Sequence, residues 1–230
     1  MGFESVVSAD NPTLTRSILA ENSPYHLAGA KLSWGPSEKW ELAALVLNSW
    51  QRNQRVPGSS LPSRGTQVTY SPSPATTLNW STFIGTDDPD PTRRMRYFNN
   101  LYGQFQLSPK VSLITGFDVG VQQQAKWSPD LDLWLSPVAI GRLALSRRRA
   151  VACRGEYYQD KKGVIISTES PYGFKTTGVS ANVDYTLQEG VMVRLEARRF
   201  TSPDPIFGRR ARPVGDNFFI VGSIAVKVGP

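Results

Sequence analysis

The sequence has no apolar run approaching the roughly 18 residues that a membrane-spanning helix requires. A spanning helix is therefore excluded. A transmembrane strand sheet is not, because each such strand shows lipid only every second side chain. The chain has one cysteine, Cys153, and so no internal disulfide; the thiol is expected as a small apolar residue within a strand. It has one histidine, His26, with Asn22 and Ser23 close by only in sequence, which is too little for a hydrolytic triad. One histidine and one cysteine give no zinc-ligand spacing, and no glycine loop of the phosphate-cradling kind is present. Asp87-Asp88-Pro89-Asp90 reads as a solvated acidic loop rather than a weak calcium site. No catalytic residue, metal or cofactor is expected. Acidic residues are the minority, 19 against 26 lysines and arginines, for a net charge of +7. The arginines are scattered, and Arg147-Arg148-Arg149 reads as a solvated turn, so no nucleic-acid partner is expected. The first residues, Met1-Gly2-Phe3-Glu4-Ser5, carry none of the marks of a signal peptide.

What is present is a profile of strands and turns, with 19 glycines and 17 prolines. Segments of alternating polarity are joined first by a tight turn and then by a long polar loop, along the whole chain. The tight turns lie at Gly35-Pro36-Ser37-Glu38, Ser71-Pro72-Ser73-Pro74, Ser108-Pro109-Lys110, Arg147-Arg148 and Gln188-Glu189-Gly190. The long loops lie at 51–64, 86–93, 123–136, 161–173 and 201–215. A meander with its short turns at one end and its long loops at the other is the plan of an outer-membrane barrel.

The alternation is clearest at 190–200. Val191, Val193, Leu195 and Ala197 face one way and Met192, Arg194, Glu196 and Arg198 the other, as successive strand side chains must. The same pattern predicts strands at 24–34, 39–50, 66–71, 76–85, 94–107, 110–122, 137–146, 149–160, 176–187 and 216–227. Pro137 is expected to open its strand, since it has no N–H for a ladder. Only Thr13–Asn22 has helix-like spacing, at Leu14, Ile18 and Leu19. Trp34, Trp40, Trp50, Trp80 and Tyr70 sit near strand ends, where an aromatic girdle or ordinary rim packing would place them.

The fold expected is all-β: an antiparallel up-and-down transmembrane meander of about eleven strands, one barrel domain over 1–230, with 1–23 an outer loop that in one reading faces the lumen. Eleven strands do not close antiparallel, so an incomplete barrel lacking N-terminal strands is expected. Charged residues of the polar faces are candidates to line a water-filled lumen: Arg94, Arg96, Asp118, Arg154, Glu156, Asp160, Asp184, Arg194, Glu196 and Arg198. They would tune selectivity or act as ion pairs stiffening the wall. The segment 10–23, with Arg16 and Glu21, is a candidate constriction; an outer surface loop is the alternative.

Gly2-Phe3-Glu4-Ser5, the run from Asp10 to Pro24, Leu45-Val46-Leu47-Asn48-Ser49-Trp50-Gln51-Arg52, Arg154-Gly155-Glu156-Tyr157-Tyr158-Gln159-Asp160 and Val193-Arg194-Leu195-Glu196-Ala197-Arg198 resemble the OmpL-like β-barrel porin family of Gram-negative bacteria, in its C-terminal portion. The resemblance implies an outer-membrane barrel and passive solute passage. It implies no catalytic site. The partners expected are outer-membrane lipid and lipopolysaccharide, small hydrophilic solutes and, in one reading, further copies of the chain in a homo-oligomer. The sequence departs from the family in lacking its front, with the export signal, and in ending Val228-Gly229-Pro230 without a terminal aromatic. A plugged structural barrel and a soluble carbohydrate-binding β-sandwich are the alternative functions.

Overall fold

The computed structural model describes residues 2–209 and 212–227. After a leading segment containing the short helix α1 (Ile18–Asn22), the chain forms β1 (Gly29–Ser37), β2 (Trp40–Leu47), β3 (Ser63–Ser73), β4 (Thr76–Gly85), β5 (Arg96–Gln106), β6 (Val111–Gln123), β7 (Leu131–Ala144), β8 (Arg149–Asp160), β9 (Phe174–Gln188), β10 (Val191–Thr201), a small hairpin of β11 (Phe207–Arg209) and β12 (Arg212–Val214), and β13 (Asp216–Val226). All but the hairpin belong to one 11-stranded antiparallel sheet in the order of the chain, with β1 and β13 at its edges. With every neighbour antiparallel, an eleventh strand runs parallel to the first. The two edges therefore cannot join in the antiparallel ladder used by the rest of the sheet.

The short connections fall at one end of the strands and the long ones at the other, as the turn residues predict. The loop between β6 and β7 is shorter than expected, because β7 begins at Leu131 rather than at Pro137. Pro137 lies in mid-strand, opposite Phe117 on β6. Its missing N–H faces β8, where the pairing with Tyr157 is skipped. The hydroxyl of the preceding Ser136 donates to the Tyr157 carbonyl at 2.9 Å, supplying the hydrogen bond that proline withholds.

One face of the sheet is inward. Leu47 of β2, Phe83 of β4, Phe98 of β5, Trp134 of β7 and Tyr158 of β8 share a single buried cluster. Flat strands spaced about 4.8 Å apart would hold β2 and β8 roughly 29 Å from each other. The sheet is therefore strongly curled, with these rings inside the curl. The opposite face is apolar and exposed: Leu32, Trp34, Val46, Leu78, Trp80, Leu101, Phe117, Leu143, Val179, Val183, Leu195, Phe218, Ile220 and Ile224 all lie on it. No second sheet packs over these side chains among the described residues, which is the opposite of a sandwich, where they would meet in a dry core. Exposing such a side chain to water forgoes about 1.5–3 kcal/mol each. A face composed this way is suited to acyl chains.

Candidate functional site

Along β6, β8, β9 and β10 the inward side chains include Asp118, Arg154, Glu156, Asn182, Asp184, Arg194, Glu196 and Arg198, and all are buried. They are buried because residues 2–23 run across them inside the curl. The helix-like spacing of the sequence is realised only as the single turn of α1, with Ser17 as its cap: the Ser17 hydroxyl accepts from the Ala20 amide at 3.1 Å. Leu19, fully buried, seats on Val138 and Ile140, joined by Phe3 and Ile114. The segment is thus an inner strap, and the expectation of an outer surface loop over 1–23 does not describe its position.

The strap is held through its backbone. Glu156 accepts from the Ile18 amide at 2.7 Å, Glu196 from the Thr15 amide at 2.6 Å, and Asn182 from the Leu14 amide at 3.2 Å. Arg194 donates to the Asn11 carbonyl at 2.8 Å and also to that of Ser8; Arg198 donates to the Arg16 carbonyl at 2.9 Å. An irregular segment carries many unpaired peptide groups. The wall charges supply the partners that secondary structure would otherwise provide.

Arg154 is the hub. Its guanidinium donates to the Thr13 hydroxyl at 2.9 Å, the Thr15 carbonyl at 2.7 Å, the Thr15 hydroxyl at 3.0 Å and Glu196 at 2.8 Å. Its Nε stands 3.2 Å from Glu156, out of line for a hydrogen bond. Arg198 donates to Glu156 at 2.7 Å, and Arg194 to Asp184 at 2.8 Å. Glu4, carried in by the strap, approaches Arg154 to 3.9 Å and accepts from the Ser17 amide at 3.0 Å. Ions this deeply desolvated are tolerated only when closely paired, and here the two terminal nitrogens of Arg154 are hydrogen-bonded while its Nε meets Glu156 by charge alone. Asp118 is bound by Asn100 at 2.5 Å and by the Ser23 hydroxyl at the strap's end.

Toward the long-loop end an apolar layer replaces the charges. Trp50, expected in an interfacial girdle, instead turns inward from the β2–β3 loop. It packs edge-on against Phe83, Phe98 and Trp134, with centroids 5.1, 4.9 and 6.3 Å away. Arg96 lies 5.1 Å from the Trp50 ring and donates to Gln122 at 2.7 Å and Asp87 at 2.8 Å. Gly120 is required here: a Cβ at this position would lie 2.1 Å from the Trp134 ring. Trp34, Trp40, Trp80 and Tyr70 do face outward, and Trp40 stacks on Tyr70 at 4.2 Å.

Most of the sequence candidates lie together on the inward face. Asp160, at the end of β8, caps the following loop by accepting from the amides of Val164, Ile165 and Ile166 at 2.7–2.9 Å. Arg94 is placed elsewhere. β5 starts at Arg96, and Arg94 stays in the β4–β5 loop, clamped to Asp88 at 2.8 Å. Arg16 and Glu21 pair with each other at 3.3 Å on the strap, Glu21 exposed. The acidic loop is occupied by protein donors: Asp87 by Arg96 and the Trp50 amide, Asp88 by Arg94, Asp90 by the Ser60 amide.

Several inward polar residues carry no candidate role in the sequence reading. On β1 to β4 these are Lys31, Glu41, Gln67, Thr69, Asn79 and Ser81. Lys31 and Glu41 are 3.6 Å apart and exposed; Lys31 also meets Gln67 at 3.1 Å, which in turn donates to Asn79 at 3.1 Å. Lys31 and Glu41 are open, whereas Asn79 and Ser81 are buried. The alternation Gly65, Gln67, Thr69 against Thr66, Val68, Tyr70 was a legible signal, but a weak one beside the charged strands.

Residues 1–228 match the protein family described as "Putative beta-barrel porin-2, OmpL-like". Comparison with curated protein sequences finds no match. Among solved structures, the anion-selective porin from Comamonas acidovorans superposes with a TM-score of 0.67 at 10% identity, over 91% of this chain and 65% of that one. OccAB1 of Acinetobacter baumannii superposes with a TM-score of 0.51 at 9% identity, over 86% of this chain and 62% of that one. The chain therefore spans less than two thirds of either structure, and at such identities the likeness is one of fold.

Proposed function

Because the chain belongs to the OmpL-like β-barrel porin family, we propose that residues 1–230 supply, as one barrel domain, eleven strands of the wall of an outer-membrane channel for passive diffusion of small hydrophilic solutes, a barrel completed by N-terminal strands and narrowed by the strap. The single observation behind this reading is the inverted polarity of the sheet. Apolar side chains face out and ionic side chains face in, the arrangement a wall needs between lipid and an aqueous bore. The strap takes the β6–β10 side of the interior. The polar wall of the exposed Lys31 and Glu41 with the half-buried Gln67 and Thr69 is the side left for solutes; on the strap Glu21 is exposed while its partner Arg16 is largely buried. Lipid and lipopolysaccharide are the surroundings this reading requires.

A second reading has its own observation. Arg154, Glu156, Glu196 and Glu4 have fully buried side chains, and the Trp50 layer lies over them, as in a barrel whose lumen is shut and whose role is structural. Planar-bilayer recording on the full chain separates the two. Stepwise ohmic conductance is expected, and Lys31→Glu shifts its ion selectivity toward cations. A folded, heat-modifiable protein that inserts without conducting would overturn the channel and leave the plugged barrel.

A further inference from the structure

We infer that Lys161, Lys162 and Lys175 form a docking site for the phosphates of an anionic outer-leaflet glycolipid of the lipid A type, on the outward rim of the sheet. The inference rests on the outer-membrane reading above.

The outward side chains of β8, β9 and β10 change character at one height. On β9 they run Leu187, Tyr185, Val183, Ala181, Val179, then Thr177 and Lys175, by the alternation of a strand. Tyr157 of β8 stands opposite Thr177, and Gln159 opposite Lys175. Arg199 of β10 stands opposite Val179, and Thr201 opposite Thr177. Apolar residues thus give way on all three strands to tyrosine, amide, hydroxyl and cationic groups, at the long-loop end. In a barrel wall this is the level of the outer-leaflet head groups.

At that level lies a cleft of about 480 Å³ whose lining includes Lys161, Lys162, Lys175, Tyr172 and Asp204. Asp160 points inward and ties down the start of the loop by its three amide contacts, which fixes Lys161 and Lys162 at the rim. None of the three lysines makes an ion pair among the described residues, although salt bridges form freely elsewhere in the loops, as at Arg94–Asp88 and Arg93–Asp90. Arg199, outward and exposed one step nearer the apolar band, adds a fourth cation without an ion pair. Unneutralised cations crowded into one cleft with a single carboxylate match a multiply charged anion. A solute travelling through the interior would meet the other side of the wall. A ligand that places phosphates here while its acyl chains lie on Val179 and Val183 below satisfies both the charge and the apolar band.

The test titrates the full chain in detergent micelles with bisphosphorylated lipid A, dephosphorylated lipid A and inorganic phosphate. Bisphosphorylated lipid A is expected to bind at least tenfold more tightly than the dephosphorylated form. The triple variant Lys161→Gln, Lys162→Gln, Lys175→Gln is expected to lose about tenfold, and Asp204→Asn to bind more tightly than the parent. Equal binding of the two lipids, or an unchanged triple variant, overturns the site. Inorganic phosphate competing at equal concentration overturns the lipid assignment in favour of a small-anion site. Folding is checked by the gel shift on heating. If the triple variant does not fold, Asp204→Asn decides, and an unchanged affinity overturns the proposal. Loss of lipid selectivity with conductance intact would sink this site alone; loss of membrane insertion would sink the porin reading with it.

Discussion

Arg154 of β8 reaches over β9 to donate to Glu196 of β10 at 2.8 Å. The two residues are not on neighbouring strands. Arg154 pairs in register with Ser180, and Glu196 with Asn182, both on β9. The short side chains of β9 at these positions leave the room in which the ion pair forms, and the strap lies on top of it.

Removing Arg154 strands Glu196 and Glu4 without their cation and leaves Glu156 to Arg198 alone. Arg154→Met is expected to cost about 3–5 kcal/mol, the range for breaking a buried ion pair. Urea unfolding of the refolded protein measures it. The same variant should expose the strap to trypsin, with cleavage after Arg16 appearing before global unfolding. Arg154→Lys keeps the charge but not the fork that binds Thr13, Thr15 and Glu196 together, and should fall between the two.

Trp50 closes the apolar layer from a loop rather than from a strand. Trp50→Ala is expected to destabilise by about 3–5 kcal/mol through the cavity left among Phe83, Phe98 and Trp134. It should also raise single-channel conductance, since the layer narrows the long-loop end. Near-ultraviolet circular dichroism should lose the signal of the coupled indoles.

Gly120 and Gly141 make an internal control. A Cβ at Gly120 would meet the Trp134 ring at 2.1 Å, whereas at Gly141 nothing lies within 4 Å. Gly120→Ala is expected to cost about 1–3 kcal/mol by overpacking. Gly141→Ala should be neutral within about 0.5 kcal/mol. Both are read from unfolding midpoints.

The β4–β5 loop is clamped by Asp88 and Arg94. Partial burial pushes the Asp88 carboxyl up, but the hydrogen bonds and charge of Arg94 outweigh it and hold the group below its ordinary value. A depressed carboxylate stabilises the fold above its unfolded pKa, about 3.9, and that stabilisation disappears as pH falls through the lower folded value. The loop should therefore stay closed at pH 5 and open only below about pH 4. Arg94→Gln should remove this step from a pH titration of loop proteolysis.

The strand meander was legible in the amino-acid order because its cues are local. Turn residues at Gly35-Pro36 or Ser108-Pro109 and period-two alternation along 190–200 need no distant partner to be read. Strand boundaries moved in several places, β1 for instance running Gly29–Ser37 rather than 24–34, and at two of them a tertiary contact replaced a local rule. Pro137 sits inside β7 because Ser136 serves the carbonyl that proline cannot. Arg94 leaves β5 because Asp88, six residues back, holds it.

The alternation of polar and apolar side chains by itself determined that one face of this sheet would be ionic and the other greasy, since a strand must send successive residues to opposite sides. It could not say which face would close around an interior, and both a sandwich and a barrel satisfied it. The curl of the sheet decided that the charges lie inside. It also decided that they hold residues 2–23 rather than facing open water, because the pairing of Glu196 with the Thr15 amide joins positions far apart in the chain, and no local pattern records a contact that only curvature brings about.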